Sequence, residues 1–372
     1  MEILQVDPDK PQHVRWFLDL PFRLYARSLQ WVPPLAMDAR RALNRHSHPF
    51  YRHSEAAFFL ALRDGEPIGR IAGLENRNYN AFNRERTAFF YLFECKEDRE
   101  AACALFAALF DWAKRRSLET VVGPKGFSAL DGMGLLVRGF EHRPAFGIPY
   151  NPVYYASLLE QSGFQAEGEV LSATMHRDMP FPEQIHRLAE RVQARRGLRV
   201  ARFHTRRELR SLVPHLGRLY NASLSGTRGN APLTGEEIQS IAGQMIAFAD
   251  PRLIKIVLKG DQPVGFLFAY PDPSAALQRT RGRLFPLGWL DIYLELRWTK
   301  WVNINGAGIV EEYRGLGGTA LLFSEMAKSV LEGGFEHAEL VQIGAENMPM
   351  QRELRRLGLD FHKVHRLYRC EP

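Results

Sequence analysis

Two stretches of the chain, LRDGEPIGRIAG (62–73) and LKGDQPVGFLFA (258–269), follow one plan. Each is an apolar strand, a tight turn built on Gly and Asp, then Pro, a β-branched residue and Gly opening a second strand. That is the pattern of a β-hairpin. A second matched pair follows in the same order. NPVYYASLLEQSGF (151–164) starts with Asn151 as a cap and Pro152 at the first helical position, and stops at Gly163. ENMPMQRELRRLGLDF (346–361) has Asn347, Pro349 and a stop at Gly358. Both read as a capped helix, a glycine C-cap and a final strand. Chance supplies one such pair; two in the same order predict a duplicated domain.

The 372 residues fit two domains at about 150 residues each. The proline-rich RDMPFPEQ and the polar amphipathic HRLAERVQARRG place a linker helix at 179–197, between domains at 1–178 and 198–372. In the first, the periodicity predicts a strand (2–6), helical segments (11–45), a hairpin (56–74), a strand (88–94), a long helix (98–116) and a strand (119–122). A Gly-rich excursion (123–150), the Asn151 helix and a strand (169–176) follow. In the second it predicts a strand (198–203), helices (206–225 and 234–248), a hairpin (252–270), a partly helical segment (271–298) and a strand (301–310). After these come a glycine turn, a helix (318–332), a strand (338–343), the Asn347 helix and a last strand (361–369). Strands and helices alternating around a mixed sheet make an α/β (α+β) architecture.

Net charge is +7, but the basic runs are short and scattered: Lys114-Arg115-Arg116, Arg195-Arg196, Arg206-Arg207 and Arg355-Arg356. These read as solvated helix faces and weigh against nucleic acid as a partner. The three cysteines, Cys95, Cys103 and Cys370, form no CxxC, which argues against a zinc site or redox pair and fits free thiols in a reducing cytosol. MEILQVDPDKPQ has neither the basic nor the apolar region of a signal peptide, and AACALFAALFDWA (101–113) is too short to span a bilayer. A cytoplasmic protein without a membrane partner is expected.

VEEYRGLGGTALL (310–322) carries three glycines within four positions. The alternation of WVNINGAGIV makes 301–310 a strand, and Leu322, Met326 and Val330 share a helical face, so the turn joins a strand end to a helix start. A helix N-terminus offers unpaired N–H groups and the positive end of its dipole, and glycine lets a phosphate approach them. Arg314 adds a charged donor, and Thr319 a hydroxyl or a cap. A diphosphate cradle and an empty strand-helix turn stand about even on the glycines alone. The P-loop is excluded because no Lys follows, and the dinucleotide fingerprint GxGxxG is absent.

Arg314-Gly315-Leu316-Gly317-Gly318-Thr319 resembles the cofactor loop of the GNAT superfamily of N-acetyltransferases, [QR]-x-x-G-x-[GA] after the fourth strand. The Arg and the first Gly match; the last position is Thr, or the loop is one residue shorter than the usual RGxGxGTALL. EEYRG, TALL and the Asn347 helix with Leu357-Gly358 are also typical. The layout is similar to bacterial proteins with paired GNAT-like domains. The resemblance implies two tandem acyl-CoA N-acyltransferase domains, each a mixed, largely antiparallel central sheet flanked by helices. It implies acetyl-CoA or another acyl-CoA as cosubstrate, no metal, and direct attack of a small-molecule or peptide amine on the thioester. Cofactor contacts would come from Ile309 and Val310 (with Gly308) pairing the pantetheine amides, from Arg314, Gly315, Leu316, Gly317, Gly318 and Thr319 at the diphosphate, and from Asn347.

The family's usual acid, a Tyr, falls at Leu354, which cannot donate a proton. Tyr368 and Tyr313 are the substitutes. Glu311 and Glu312 at the strand end are candidate bases, and Asn305, with Asn303 on the same strand face, would orient substrate or water. The catalytic candidates are thus Glu311, Tyr368 and Asn305. His337 and His362 carry no motif. The first domain lacks the glycine turn; Glu97, Asp98 and Glu100 would repel a diphosphate, and Asp98 reads as an N-cap, so this copy is expected not to hold CoA. Its excursion, 123–155, reads as an acceptor-pocket wall or a structural latch. GRLFPLGWLDIYLEL (282–296) reads as a buried helix, with a lid for a long acyl chain as the alternative. Two other functions fit the same layout: an aminoacyl-tRNA-dependent peptidyltransferase-like enzyme, and an inactive CoA- or partner-binding protein.

Overall fold

The computed structural model describes residues 1–128, 131–223 and 230–371. The chain opens with β1 (Glu2–Gln5), α1 (Pro11–Leu24), α2 (Ala36–Leu43), the hairpin β2 (Glu55–Arg63) and β3 (Glu66–Glu75), and α3 (Arg77–Asn83). There follow β4 (Thr87–Cys95), α4 (Arg99–Arg115), β5 (Thr120–Gly123), β6 (Leu135–Arg138), α5 (Tyr155–Gln161) and β7 (Gln165–His176). It continues through α6 (Glu183–Arg196), β8 (Leu198–Ala201), α7 (Arg206–Ser223), α8 (Gly235–Phe248) and the hairpin β9 (Ile254–Lys259) and β10 (Gln262–Pro271). The last elements are α9 (Ser274–Thr280), α10 (Gly288–Trp298), β11 (Trp301–Ile309), α11 (Gly318–Glu332), β12 (His337–Gly344), α12 (Met348–Arg356) and β13 (Asp360–Cys370).

Two compact units emerge, and neither is one run of chain. The first holds Met1–Leu171, Ser274–Ile292 and Lys363–Pro372; the second holds Ser172–Pro273 and Tyr293–His362. This differs from the contiguous division at 178 and 198. In particular 179–197, expected as a linker, belongs to the second unit as α6, whose Ala189 and Val192 are buried in that unit's core. The apolar faces of α6 and α11 have to be covered, and each covers the other.

In the first unit the strands run β1-β2-β3-β4-β5-β13. Its parallel pair is β4 and β5, from Thr87↔Thr120 to Phe89↔Val122. The β2–β3 turn is made by Asp64 and Gly65, both at positive φ, the backbone a two-residue hairpin requires. Helix α4 covers the sheet with Ala101, Leu105, Phe106, Leu109, Trp112 and Ala113, spaced three and four apart on one face. Asp98 caps it, its carboxylate accepting from the Ala101 N–H at 3.1 Å.

In the second unit the order is β12-β11-β10-β9-β8, with β11 and β12 the parallel pair. Hairpin, parallel pair and covering helix thus recur in the same sequence in both units, as a duplication requires. One face of this sheet carries α6 and α11 over Leu267, Ala269, Val302, Ile304 and Leu340. The other packs Ile254, Ile256, Phe266 and Phe268 against Leu209, Leu219 and Ile246 of α7 and α8.

Two local expectations are corrected. Asn151 caps nothing: α5 begins at Tyr155, and the buried Asn151 side chain instead accepts from the Leu136 N–H (2.7 Å) and donates to the Leu136 carbonyl (3.1 Å). A long-range partner on β6 outbids the local one. The segment 282–296 is helical from Gly288, and it buries Ile292, but Phe285, Leu287, Trp289, Leu290 and Tyr293 are exposed. The expected helix 206–225 is seen to Ser223, and its last two residues lie outside the described residues.

Candidate functional site

Strand β11 is paired on both edges at its start and on one at its end. Its parallel pairing with β12 stops at Ile304↔Leu340, whereas β10 follows it to Ile309, with a register shift between Leu267 and Ala269. Past Ile304, one edge of β11 has no strand against it among the described residues. The Val310 N–H donates to the Val264 carbonyl at 2.9 Å, which fixes the phase of the ladder. Antiparallel pairs alternate between bonded and non-bonded, so Val310 and Gly308 aim their polar groups at β10, and Ile309 and Ala307 aim theirs at the open edge. The Ile309 carbonyl accepts there from Arg314 Nε at 3.2 Å. An extended chain carrying amides would find the Ile309 N–H and both main-chain groups of Ala307 placed as for an added strand.

This corrects the part expected of Val310. Its N–H is held by Val264 and its carbonyl by the Tyr313 N–H at 2.9 Å, so its main chain is committed within the protein.

The turn that follows is exposed at Arg314 and Gly315 and buried at Gly318 and Ala320. Glu311–Tyr313 form one tight helical turn, and α11 begins at Gly318 with Gly317 as its N-cap. Gly317 has φ +87°, and a Cβ there would stand 2.4 Å from Val192 Cγ2 of α6, so no larger residue fits without displacement. Leu321 N–H bonds the Gly317 carbonyl at 3.2 Å and Leu316 N–H the Tyr313 carbonyl at 3.4 Å. Among the described residues, the N–H groups of Gly315, Gly317, Gly318, Thr319 and Ala320 have no protein acceptor. Four of them belong to the N-terminus of a fifteen-residue helix, where the dipole favours negative charge. Leu316 packs into the core below and anchors the bend.

Arg314 serves this turn differently from what the sequence suggested. Its Nη2 donates to the Ser223 carbonyl at 2.9 Å and its Nε to Ile309, so the guanidinium braces the loop against the end of α7. A second cation lies beside it: Arg196 Nη1, from the last turn of α6, reaches the Gly315 carbonyl at 3.4 Å.

At the closed end of the opening lies a polar row on the α7–α8 face. Tyr270, Asn303 and Glu339 are in register across β10, β11 and β12. Asn303 Nδ2 donates to Asp272 Oδ1 at 2.9 Å, and both residues are buried. Tyr270 is hydrogen-bonded to Asn305, and its hydroxyl is pushed up in pKa first by burial and then by Asp272. Glu339 is buried, with His362 Nε2 3.7 Å from its Oε1. Asn305, an expected site residue, therefore joins this row. Glu339 and Tyr270 were not singled out from sequence; their only signal is a polar residue in an otherwise apolar strand.

The remaining candidates lie elsewhere. Glu311 is exposed at the turn, about 20 Å along the chain from Asn305 at strand rise. Tyr368 is fully buried in the first unit's core, opposite Gly123 of β5. Asn347 caps α12, its side chain accepting from the Met350 N–H at 3.2 Å. Leu354 is a buried core residue. His337 stacks on Trp301 at 4.2 Å, at the strand ends far from the opening. In the first unit the start of α4 is taken up by Asp98, which pairs with Arg63 at 2.6 Å, and by Glu100, which pairs with it at 2.7 Å.

No family model matches the chain. It is 27% identical to a protein of Caulobacter vibrioides named bacterial ceramide synthase, over 98% of this chain and 97% of that protein. It is 24% identical to protein YghO of Escherichia coli, over 95% and 91%. Among solved structures, a tandem GNAT protein from the clavulanic acid biosynthesis pathway aligns with 100% of this chain and 98% of its own, with a TM-score of 0.58 and 14% identity. At that identity the likeness concerns the fold: the chain has the tandem GNAT fold.

Proposed function

We propose that this chain, with its tandem GNAT fold, is an acyl-CoA-dependent N-acyltransferase whose donor site is in the second unit. One observation carries the reading: the open edge of β11 leads directly into a turn whose N–H groups at Gly315 and Gly317–Ala320 face no protein acceptor among the described residues. An amide-bearing arm ending in a diphosphate is complementary to both parts. The Ile309 and Ala307 main chain would hold the arm, and the turn with the α11 N-terminus would hold the diphosphate. Thr319 stands at the second residue of that helix, where its N–H adds to the cradle.

Bound there, acyl-CoA supplies a thioester whose carbonyl carbon is attacked by the acceptor amine; the amide bond forms as the carbon–sulfur bond breaks, and the thiolate takes up a proton. The base for the amine has to stand at the thioester end of the arm, away from the diphosphate. That favours Glu339 over Glu311. Glu339, with His362 beside it and Tyr270, Asn303 and Asn305 in the same row, would accept the amine's proton directly or through water.

The Caulobacter relative's name favours a lipidic product. A ceramide is the amide of a long-chain amino alcohol and a fatty acid, so a long-chain acyl donor and a long-chain amine are the first substrates to try. The test combines saturable CoA binding by calorimetry with detection of the amide by mass spectrometry. Absence of CoA binding at millimolar concentration defeats the donor-site reading. Binding without any amide from either long-chain or short-chain pairs defeats the enzyme reading and leaves a CoA-binding protein.

A further inference from the structure

Helix α10 buries Ile292 but turns a second apolar face to water. Its exposed face is Trp289, Leu290, Tyr293 and Trp298 with Arg297, while the carboxylate of Asp291 pairs with Arg279 at 2.7 Å. The loop before it adds Phe285, 82% exposed, and Leu287, 68% exposed; Trp298 is 70% exposed. Water is a poor solvent for this surface, and isolated apolar residues on a normal surface do not line up on one helix face. Nothing in catalysis as described uses these residues.

Charge decides what the face meets. Residues 279–300 contain five cations, Arg279, Arg281, Arg283, Arg297 and Lys300, against two acids, Asp291 and Glu295. Arg281, Arg283 and Arg297 are exposed, on either side of the aromatic stretch. Aromatic rings flanked by arginines match the boundary of an anionic bilayer, where Trp and Tyr occupy headgroup depth and arginines meet phosphates. Among the described residues no helix is long and apolar enough to cross a membrane, so the contact is with the surface. We propose that the 285–298 face docks the protein on an anionic lipid bilayer. This goes beyond the expectation of no membrane partner, and it does not rest on the acyl-transfer reading.

The test is co-flotation of the full chain with vesicles of phosphatidylglycerol and phosphatidylcholine in equal parts, and with phosphatidylcholine alone. The protein is expected to float with the mixed vesicles at least tenfold more than with the neutral ones, and less as salt is raised. Trp289→Ser with Trp298→Ser should reduce flotation tenfold or more, with an unchanged melting curve because both side chains are exposed. Brominated lipids should quench the tryptophan fluorescence of the unaltered protein, a reading independent of any variant's folding. No flotation at low salt, flotation unaffected by the double change, or a dimer that the double change turns into monomer would each overturn the proposal; the last would assign the face to a second copy of the chain.

Discussion

Arg314 Nη2 donates to the Ser223 carbonyl across 2.9 Å, tying the glycine turn to the last residue of α7. The guanidinium also takes the Ile309 carbonyl, at the point where β11 ends. One planar side chain therefore fixes strand, turn and helix together, which an ammonium on a flexible stem does not reproduce.

Arg314→Ala should lower the melting temperature by about 2 °C, since hydrogen bonds at a solvent-exposed site contribute on the order of 1 kcal/mol or less. It should also remove more than half of the thermal shift given by CoA. Arg314→Lys should behave like Arg314→Ala. If Lys restores the CoA shift in full, the residue is acting on phosphate as a point charge and the bracing role is wrong. Thermal melts with and without CoA decide between the two.

Gly317→Ala places a methyl group against Val192 Cγ2 and forces a side chain onto φ +87°. The CoA affinity should fall at least tenfold. Combining it with Val192→Ala relieves the clash but not the backbone strain of about 1 kcal/mol, so affinity should recover in part. Titration calorimetry on the single and double variants gives the comparison. Full recovery would show that the positive φ is not needed.

Glu339→Gln keeps the size of the side chain and removes the base. Turnover should drop at least a hundredfold, within the range of about 10²–10⁴ that a positioned base contributes. The CoA-induced thermal shift should be unchanged. The same change at Glu311 should leave turnover within about threefold. A reversal of these two results would return the base to the turn.

His365 contributes one part of the pH dependence of the first unit, opposed by Asp131, whose carboxyl burial pushes up to about 6. Its Nε2 donates to the Pro149 carbonyl at 3.0 Å, and its buried Nδ1 meets no acceptor among the described residues. Burial, chiefly, pulls its pKa down to about 4. At this ring the folded state binds fewer protons than the unfolded state between pH 6.5 and about 4, so its contribution to stability is full above pH 6.5 and is lost as pH drops through that window. The loss attributable to this ring is on the order of 3 kcal/mol. His365→Gln, which retains a donor for Pro149, should flatten that acid limb in denaturant titrations at pH 7, 5.5 and 4.5. An unchanged pH slope would show that the ring is not the source.

What the sequence makes legible is what is decided over a few residues. The Asp98 and Asn347 caps each reach a backbone N–H three positions on, and the hairpins are settled by a two-residue turn. The α11 start is legible for the same reason, because its glycines act on their own backbone. Contacts decided at a distance are not. Asn151 has the same local signature as Asn347, but Leu136 claims it. The Tyr270–Asn303–Glu339 row exists only through the register of three strands, and no period within one strand announces it. Arg314 carries a family signature whose use here depends on Ser223, ninety-one positions away. The α10 face misleads for another reason: an apolar run says that water is avoided, not whether protein or lipid replaces it.

Strand β13 sets Tyr368, Arg369 and Cys370 against Gly123, Val122 and Val121, and residues from Lys363 onward pack with the first unit. During synthesis the ribosome delivers Met1–Leu171 of that unit early, Ser274–Ile292 partway through the second unit, and this strand last. The edge of β5 has to be kept from wrong partners throughout that interval. Once Ser274–Ile292 has been made, the first unit still waits for this last strand, and nascent chains arrested before Lys363 should be the form most dependent on chaperones.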